Sequence, residues 1–85
     1  MENKQKKIDA LVRLLEVMDT LRVKCPWDRE QTFLSLRNNS IEEVYELADA
    51  IEAEDIEGIK EELGDVLLHV AFYSKLGEEQ GSFDI

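Results

Sequence analysis

Two short stretches gather carboxylates at helical spacing. "SIEEVYELADA" (Ser40 to Ala50) carries Glu42, Glu43 and Glu46, and "EELGD" (Glu61 to Asp65) carries Glu62 and Asp65. Carboxylates in such numbers either take and give protons or hold hard divalent cations, which prefer oxygen ligands. The plainer alternative is an acidic helix face that only meets water. In the first stretch Ile41, Val44, Tyr45, Leu47, Ala48 and Ile51 share one side, while Glu42, Glu43, Glu46 and Asp49 share the other. That is ordinary amphipathicity, and by itself it favours the solvated face.

The second stretch reverses the balance. Glu62, Asp65 and His69 stack at i, i+3 and i+7, and the same stripe continues as Phe72 and Leu76. This helix is apolar nearly all round and expects burial on most sides. No lysine or arginine on the stripe can pair with its carboxylates, and a buried unpaired carboxylate is costly. The short link "EAED" requires the two helices to run antiparallel, which brings Glu62 and Asp65 toward Glu43 and Glu46. Converging carboxylates of this kind suit Mg²⁺, with Mn²⁺ as a substitute, because the ion supplies the missing positive charge. His69 reads as a core histidine or one supporting the ligands from outside, since Asp65-x-x-x-His69 is not the Glu-x-x-His spacing of di-iron bundles. Gly64 costs a helix about 1 kcal/mol relative to alanine; its bare backbone would permit close approach beside the ions.

The segments that carry these groups read as helices throughout, an all-α chain with no sustained period-two alternation. A first helix spans about 5–22. "VKCPWD" breaks it, and Asp28 with Gln31 predicts a capping box opening a short helix with Phe33, Leu34 and Leu36. "RNN" predicts a second interruption, after which Ser40 and Glu43 form another capping box for a helix to about Glu54. Asp55 caps a long helix from Ile56 to about Gln80, and Gly81 follows as its C-cap. The closing "SFDI" leaves Phe83 and Ile85 as either a chain boundary or a tail docking on a neighbour.

Composition narrows the function. Eighty-five residues make one small domain with a marginal core of its own, yet 44% are hydrophobic, which points to apolar surface covered by another subunit. A net charge of −10 and a pI near 4.4 argue against nucleic acid and against an anionic membrane surface. One cysteine, Cys25, excludes an internal disulfide and fits a reducing cytoplasm; beside Pro26 and with no base close in the chain, it reads as inert. Trp27 offers a ring to a nucleobase, although a core role anchoring its loop weighs more. Lys60, Arg29, Arg37 and Lys75 read as solvated cations, any of which could touch a phosphate.

These residues carry a resemblance. "EEVYE" with "EELGD" resembles the Glu-Glu-x-x-Glu … Glu-x-x-Asp signature of the all-α nucleoside triphosphate pyrophosphohydrolases. "CPWDREQTFLSLR" and "GDVLLHVAFYSKLGEEQGSFDI" are similar to segments of the MazG family, and the likeness runs from about Leu11 to Ile85. It implies a MazG-like helical bundle whose antiparallel helices complete a four-helix-bundle core by dimerisation. It also implies Mg²⁺-dependent cleavage of nucleoside triphosphates to monophosphate and pyrophosphate. By the same resemblance Glu43, Glu46, Glu62 and Asp65 fall on the metal ligands. Glu42 falls on the first glutamate of the motif, and Glu42 and Glu46 are the catalytic candidates; Trp27 and Lys60 are the candidates for substrate binding. Residues 1–85 are then one such domain, shortened at its C-terminal end relative to full-length relatives, which continue with a further helix and a basic segment. The competing expectation is a non-catalytic helical dimerisation or regulatory module with a vestigial metal site. An acidic mimic of nucleic acid is a distant third.

Overall fold

A computed structural model describes residues 3–85. Four helices follow one another: α1 (Lys4–Lys24), α2 (Pro26–Glu30), α3 (Phe33–Glu52) and α4 (Ile56–Glu79), with no strand among the described residues. The all-α expectation holds, but three local boundaries differ from those the sequence suggested.

The first difference is at α2. Cys25 precedes a proline, which disfavours helical backbone there; it is extended at φ −89° and ψ 118°, and Pro26 opens the helix. Asp28 therefore lies inside α2, buried, and caps nothing. The second concerns α3, which runs unbroken through "RNN". Arginine and asparagine cost a helix interior only a fraction of a kcal/mol, far from the roughly 3 kcal/mol of proline. The capping box belongs to Thr32 and Ser35: the Ser35 amide donates to Thr32 Oγ1 at 3.1 Å, and the Thr32 amide donates to Ser35 Oγ at 2.7 Å. Ser40, expected as a cap, is mid-helix with its hydroxyl donating to Leu36 O. At α4 the reading was correct. Asp55 Oδ1 accepts from the Gly58 amide at 3.1 Å, and Gly81 takes φ +71° just past the C-terminal end.

Packing follows from the faces. α3 and α4 form an antiparallel hairpin joined by a turn in which Glu54 adopts φ 54°. α1 lies along α4 in the same direction, with Lys75 Nζ 3.0 Å from Asp19 and Arg22 joined to Glu79 further down. The core is small: Met18, Leu36, Ala71, Phe72 and Leu76 are buried, with Leu68 and Tyr73 against them. Arg22 ties the ends together. Its Nε and Nη2 grip both carboxylate oxygens of Glu79 at 2.7 and 2.9 Å, while the carbonyls of Asp28, Arg29 and Gln31 converge on its Nη1. The guanidinium thus closes the C-terminal end of α2, where carbonyls lack helical partners and a cation is favourable. Arg22 also holds the Glu79 carboxyl below its usual pKa.

The third difference is the tail. It folds back on its own α4, Phe83 packing over Gly77 with its ring centroid 6.2 Å from that of Phe33. Any Cβ at Gly77 would run into the Phe83 ring. Gly77→Ala should therefore cost about 1–3 kcal/mol by overpacking. In a Phe83→Ala background the same change should instead stabilise by up to about 1 kcal/mol through helix propensity. Denaturant unfolding of the four proteins checks this; one sign in both backgrounds would contradict the docking.

Candidate metal centre

The α3–α4 hairpin sets residues opposite each other in a graded seam. Nearest the turn are Glu46 and Glu62, then Glu43 and Asp65, then Ser40 and His69, and last the apolar Leu36 and Phe72. Each carboxylate sits where helical period and antiparallel register put it, because Glu43/Glu46 and Glu62/Asp65 repeat at i, i+3 on one face of each helix. Oxygens of Glu43, Glu62 and Asp65 lie within 4.8 Å of one another, the two glutamates half-buried and Asp65 exposed. Glu46 reaches the same group from the exposed rim, its titration tied to Glu62 and Glu43. Glu42 is exposed on the next face, close enough for its charge to act on Glu46.

Repulsion governs this cluster. Glu43 and Glu62 are both pushed above the ordinary carboxylate value, first by burial, with the charge of Asp65 adding to it. Glu46 is raised chiefly by the approach of its carboxyl to that of Glu62 and by that group's charge. Ionised carboxylates are acceptors only, so no two of them can hydrogen-bond to each other. Accordingly Glu43 Oε2 and Glu62 Oε2 are buried with no hydrogen-bond partner. An orphaned buried oxygen costs the fold free energy. The donor set of carboxylate oxygens fits a hard divalent cation, and the two orphaned atoms are what such an ion would satisfy.

One turn further from the loop lies a polar node that joins His69, expected in the core or in support of the ligands, to Ser40 and Tyr73. Ser40 Oγ is 2.6 Å from His69 Nδ1 and 2.5 Å from the Tyr73 hydroxyl. Tyr73 stacks parallel to Phe33 at 6.0 Å. The node's readable signal is Ser40 three residues before Glu43 on the same face, a spacing that also predicts a capping box.

The remaining candidates lie outside the cluster. Trp27 packs edge-on to Phe72, ring centroids 6.5 Å apart, and is 53% exposed, so it anchors α2 without being sealed in the core. Lys60 is exposed and, two positions before Glu62, points about 200° round the helix from it. Among the described residues no hydrogen bond or ion pair links either side chain to the carboxylates. Gly64 has nothing within 4 Å of where a Cβ would stand. Lys75 is occupied by Asp19, and the Arg29 guanidinium reaches Val23 O at 3.5 Å.

Comparison with known proteins decides the family. Residues 31–85 match the MazG nucleotide pyrophosphohydrolase domain, a span that contains all four converging carboxylates. This chain belongs to the MazG family. A nucleoside triphosphate pyrophosphohydrolase of Escherichia coli K12 is 47% identical over 80 residues, covering 91% of this chain and 30% of the relative. The nucleoside triphosphate pyrophosphohydrolase/pyrophosphatase MazG of Thermotoga maritima is 47% identical over 74 residues, 85% of this chain and 29% of its own. A nucleoside triphosphate pyrophosphohydrolase of Mycobacterium tuberculosis is 44% identical over 71 residues, 84% of this chain and 22% of its own. The chain thus spans less than a third of the length of these relatives. Among the described residues of this MazG domain no helix is long and apolar enough to cross a membrane.

Because the Glu62 pKa is raised, ionising it at neutral pH opposes folding in the absence of metal, and that penalty fades as pH falls toward the ordinary value of 4.5. Glu62→Gln should therefore raise the melting temperature at pH 7 in EDTA by a few degrees. Glu61→Gln, on the neighbouring solvated position, should leave it nearly unchanged. Equal responses in thermal melts would mean that the cluster is merely solvated.

Proposed function

We propose that residues 1–85 act as one nucleoside triphosphate pyrophosphohydrolase domain, with Glu43, Glu46, Glu62 and Asp65 holding Mg²⁺, or Mn²⁺ in its place. The observation that carries this reading is the pair of orphaned oxygens, Glu43 Oε2 and Glu62 Oε2, where carboxylates from two helices converge. A face that only meets water has no cause to bury them. When bound, the cation supplies the charge that lets a polyanionic triphosphate approach an acidic domain and makes a nearby water more acidic.

The chain's own residues supply orientation and proton transfer. Glu43 and Glu62 are fixed by partial burial and Asp65 by the rigid helix, so the ligand set needs little ordering on binding. Glu42 and Glu46 stand exposed at the solvent edge, where one of them takes the proton of the attacking water. The water oxygen bonds to the α-phosphorus, the α–β bridging P–O bond breaks, and pyrophosphate leaves with the bridging oxygen. The exposed face of Trp27 is open to a base. Lys60, on another side of α4 from the cluster, is an exposed cation that a phosphate could meet. Hydrolysis in ¹⁸O-water should place the label in the nucleoside monophosphate, with pyrophosphate unlabelled. Asp65→Asn should lower turnover by about a hundredfold or more, at least the upper end seen when groups around a metal are changed. Label in pyrophosphate, or release of orthophosphate and nucleoside diphosphate, would contradict the mechanism. Metal binding without turnover would favour the dimerisation or regulatory module.

Assembly is the second part of the proposal. Ile41, Val44 and Tyr45 on α3 and Leu63, Leu67 and Val70 on α4 are 41–69% exposed in this chain, although the sequence expects α4 to be covered on most sides. Fully burying an aliphatic side chain of this kind contributes about 1.5–3 kcal/mol. A second copy pairing its own α3–α4 hairpin would cover these faces and complete a four-helix-bundle core. Light scattering at tens of micromolar should give a homodimer or higher oligomer; a monodisperse monomer would contradict this.

A further inference from the structure

We propose that Ser40 and His69 are positioning residues: their hydrogen bond fixes the separation of α3 and α4 at the carboxylate cluster, and so tunes affinity for the divalent cation. The inference rests on the metal reading above. Among the described residues, Ser40 makes the only side-chain hydrogen bonds that cross from α3 to α4, at 2.6 Å to His69 and 2.5 Å to Tyr73. The ion pairs Arg22–Glu79 and Lys75–Asp19 join α1 to α4 instead. Across the α3–α4 seam, like charges push the helices apart at one turn, and the polar tie sits at the next.

The tie is geometrically demanding. Ser40 has one proton and two lone pairs, and three neighbours: Leu36 O at 3.1 Å, His69 Nδ1 and the Tyr73 hydroxyl. Leu36 O can only accept. All three contacts are satisfied together when Ser40 donates to Leu36 O and receives from the Nδ1–H of His69 and from the Tyr73 O–H. This assigns the Nδ1–H to His69 and leaves Ser40 no freedom to rotate. Tyr73 is braced in turn by the Phe33 ring stacked on it. A hydroxyl held from three sides fixes α3 at Ser40, and Glu43 follows one turn along the same rigid helix. Asp65 follows one turn from His69 on α4. Groups that orient metal ligands from outside commonly change affinity by roughly 10–100-fold when removed.

The test uses the whole chain and reads binding rather than turnover: melting temperature against Mg²⁺ concentration, referenced to EDTA, since stabilisation follows ligand affinity. His69→Asn places an amide N–H near the Nδ1 position and keeps the donor to Ser40; His69→Gln places it near Nε2 and loses it. His69→Gln and Ser40→Ala should each weaken Mg²⁺ by about tenfold, while His69→Asn stays within about threefold of wild type, a sparing that a purely packing role would not give. Equal affinities in wild type and His69→Gln would overturn the inference, as would equal losses in His69→Asn and His69→Gln. If His69→Gln does not fold, Ser40→Ala decides, because it removes a single oxygen: undiminished affinity there overturns the proposal. A wild-type chain that shows no response to Mg²⁺ would overturn the metal reading itself and leave these residues nothing to position.

Discussion

Mutual repulsion among carboxylates across the α3–α4 seam is the constraint to which the rest of this small fold answers. Four acidic groups on facing helix turns do not approach one another unless other interactions hold the helices there. Below them, the seam passes through the Ser40 node to Leu36 and Phe72, so the force that separates the helices near the turn is opposed by apolar burial further along. Above them, the turn closes tightly, with Asp55 capping α4 and Glu54 in the left-handed region. Positive-φ backbone costs a side-chain-bearing residue something of order 1 kcal/mol, a strain accepted where the hairpin must reverse beside the acidic cluster.

The opposite end of the molecule carries the favourable electrostatics. Arg22 gathers Glu79 and the end of α2, and Lys75 pairs with Asp19. These contacts fasten α1 and α2 to the far half of α4, while on its near half Lys60 is turned away and no lysine or arginine pairs with the carboxylates among the described residues. An acidic domain that spends its positive charges away from its carboxylate cluster leaves that cluster to be neutralised from outside. The fold and the proposed metal site are in this sense one arrangement.

Much of the site was legible in the sequence, and the reasons are specific. Glu62 and Asp65 stood out because they share a stripe with Phe72 and Leu76 and have no lysine or arginine beside them. The short link made the hairpin antiparallel, and equal i, i+3 spacing on both helices did the rest. The family resemblance, rather than periodicity, singled out Glu42. What was not legible depended on tertiary contacts or on weak local signals. Asp28 and Gln31 mimic a capping box, but Pro26 opens the helix first. Thr32 and Ser35 lack the acidic partner that makes such a box conspicuous, so the true start of α3 was missed and Ser40 was misassigned. The Arg22 grip on Glu79 and the seat of Phe83 on Gly77 join residues that nothing in the local sequence relates.

The orphaned oxygens of Glu43 and Glu62 have a physical cause if they belong to a divalent cation. Anomalous diffraction from crystals grown with Mn²⁺ tests it most directly. A manganese peak is expected between α3 and α4, within bonding distance of oxygens from Glu43, Glu62 and Asp65. No peak there, with Glu43 and Glu62 instead hydrogen-bonded to each other through a retained proton or to water, would contradict it.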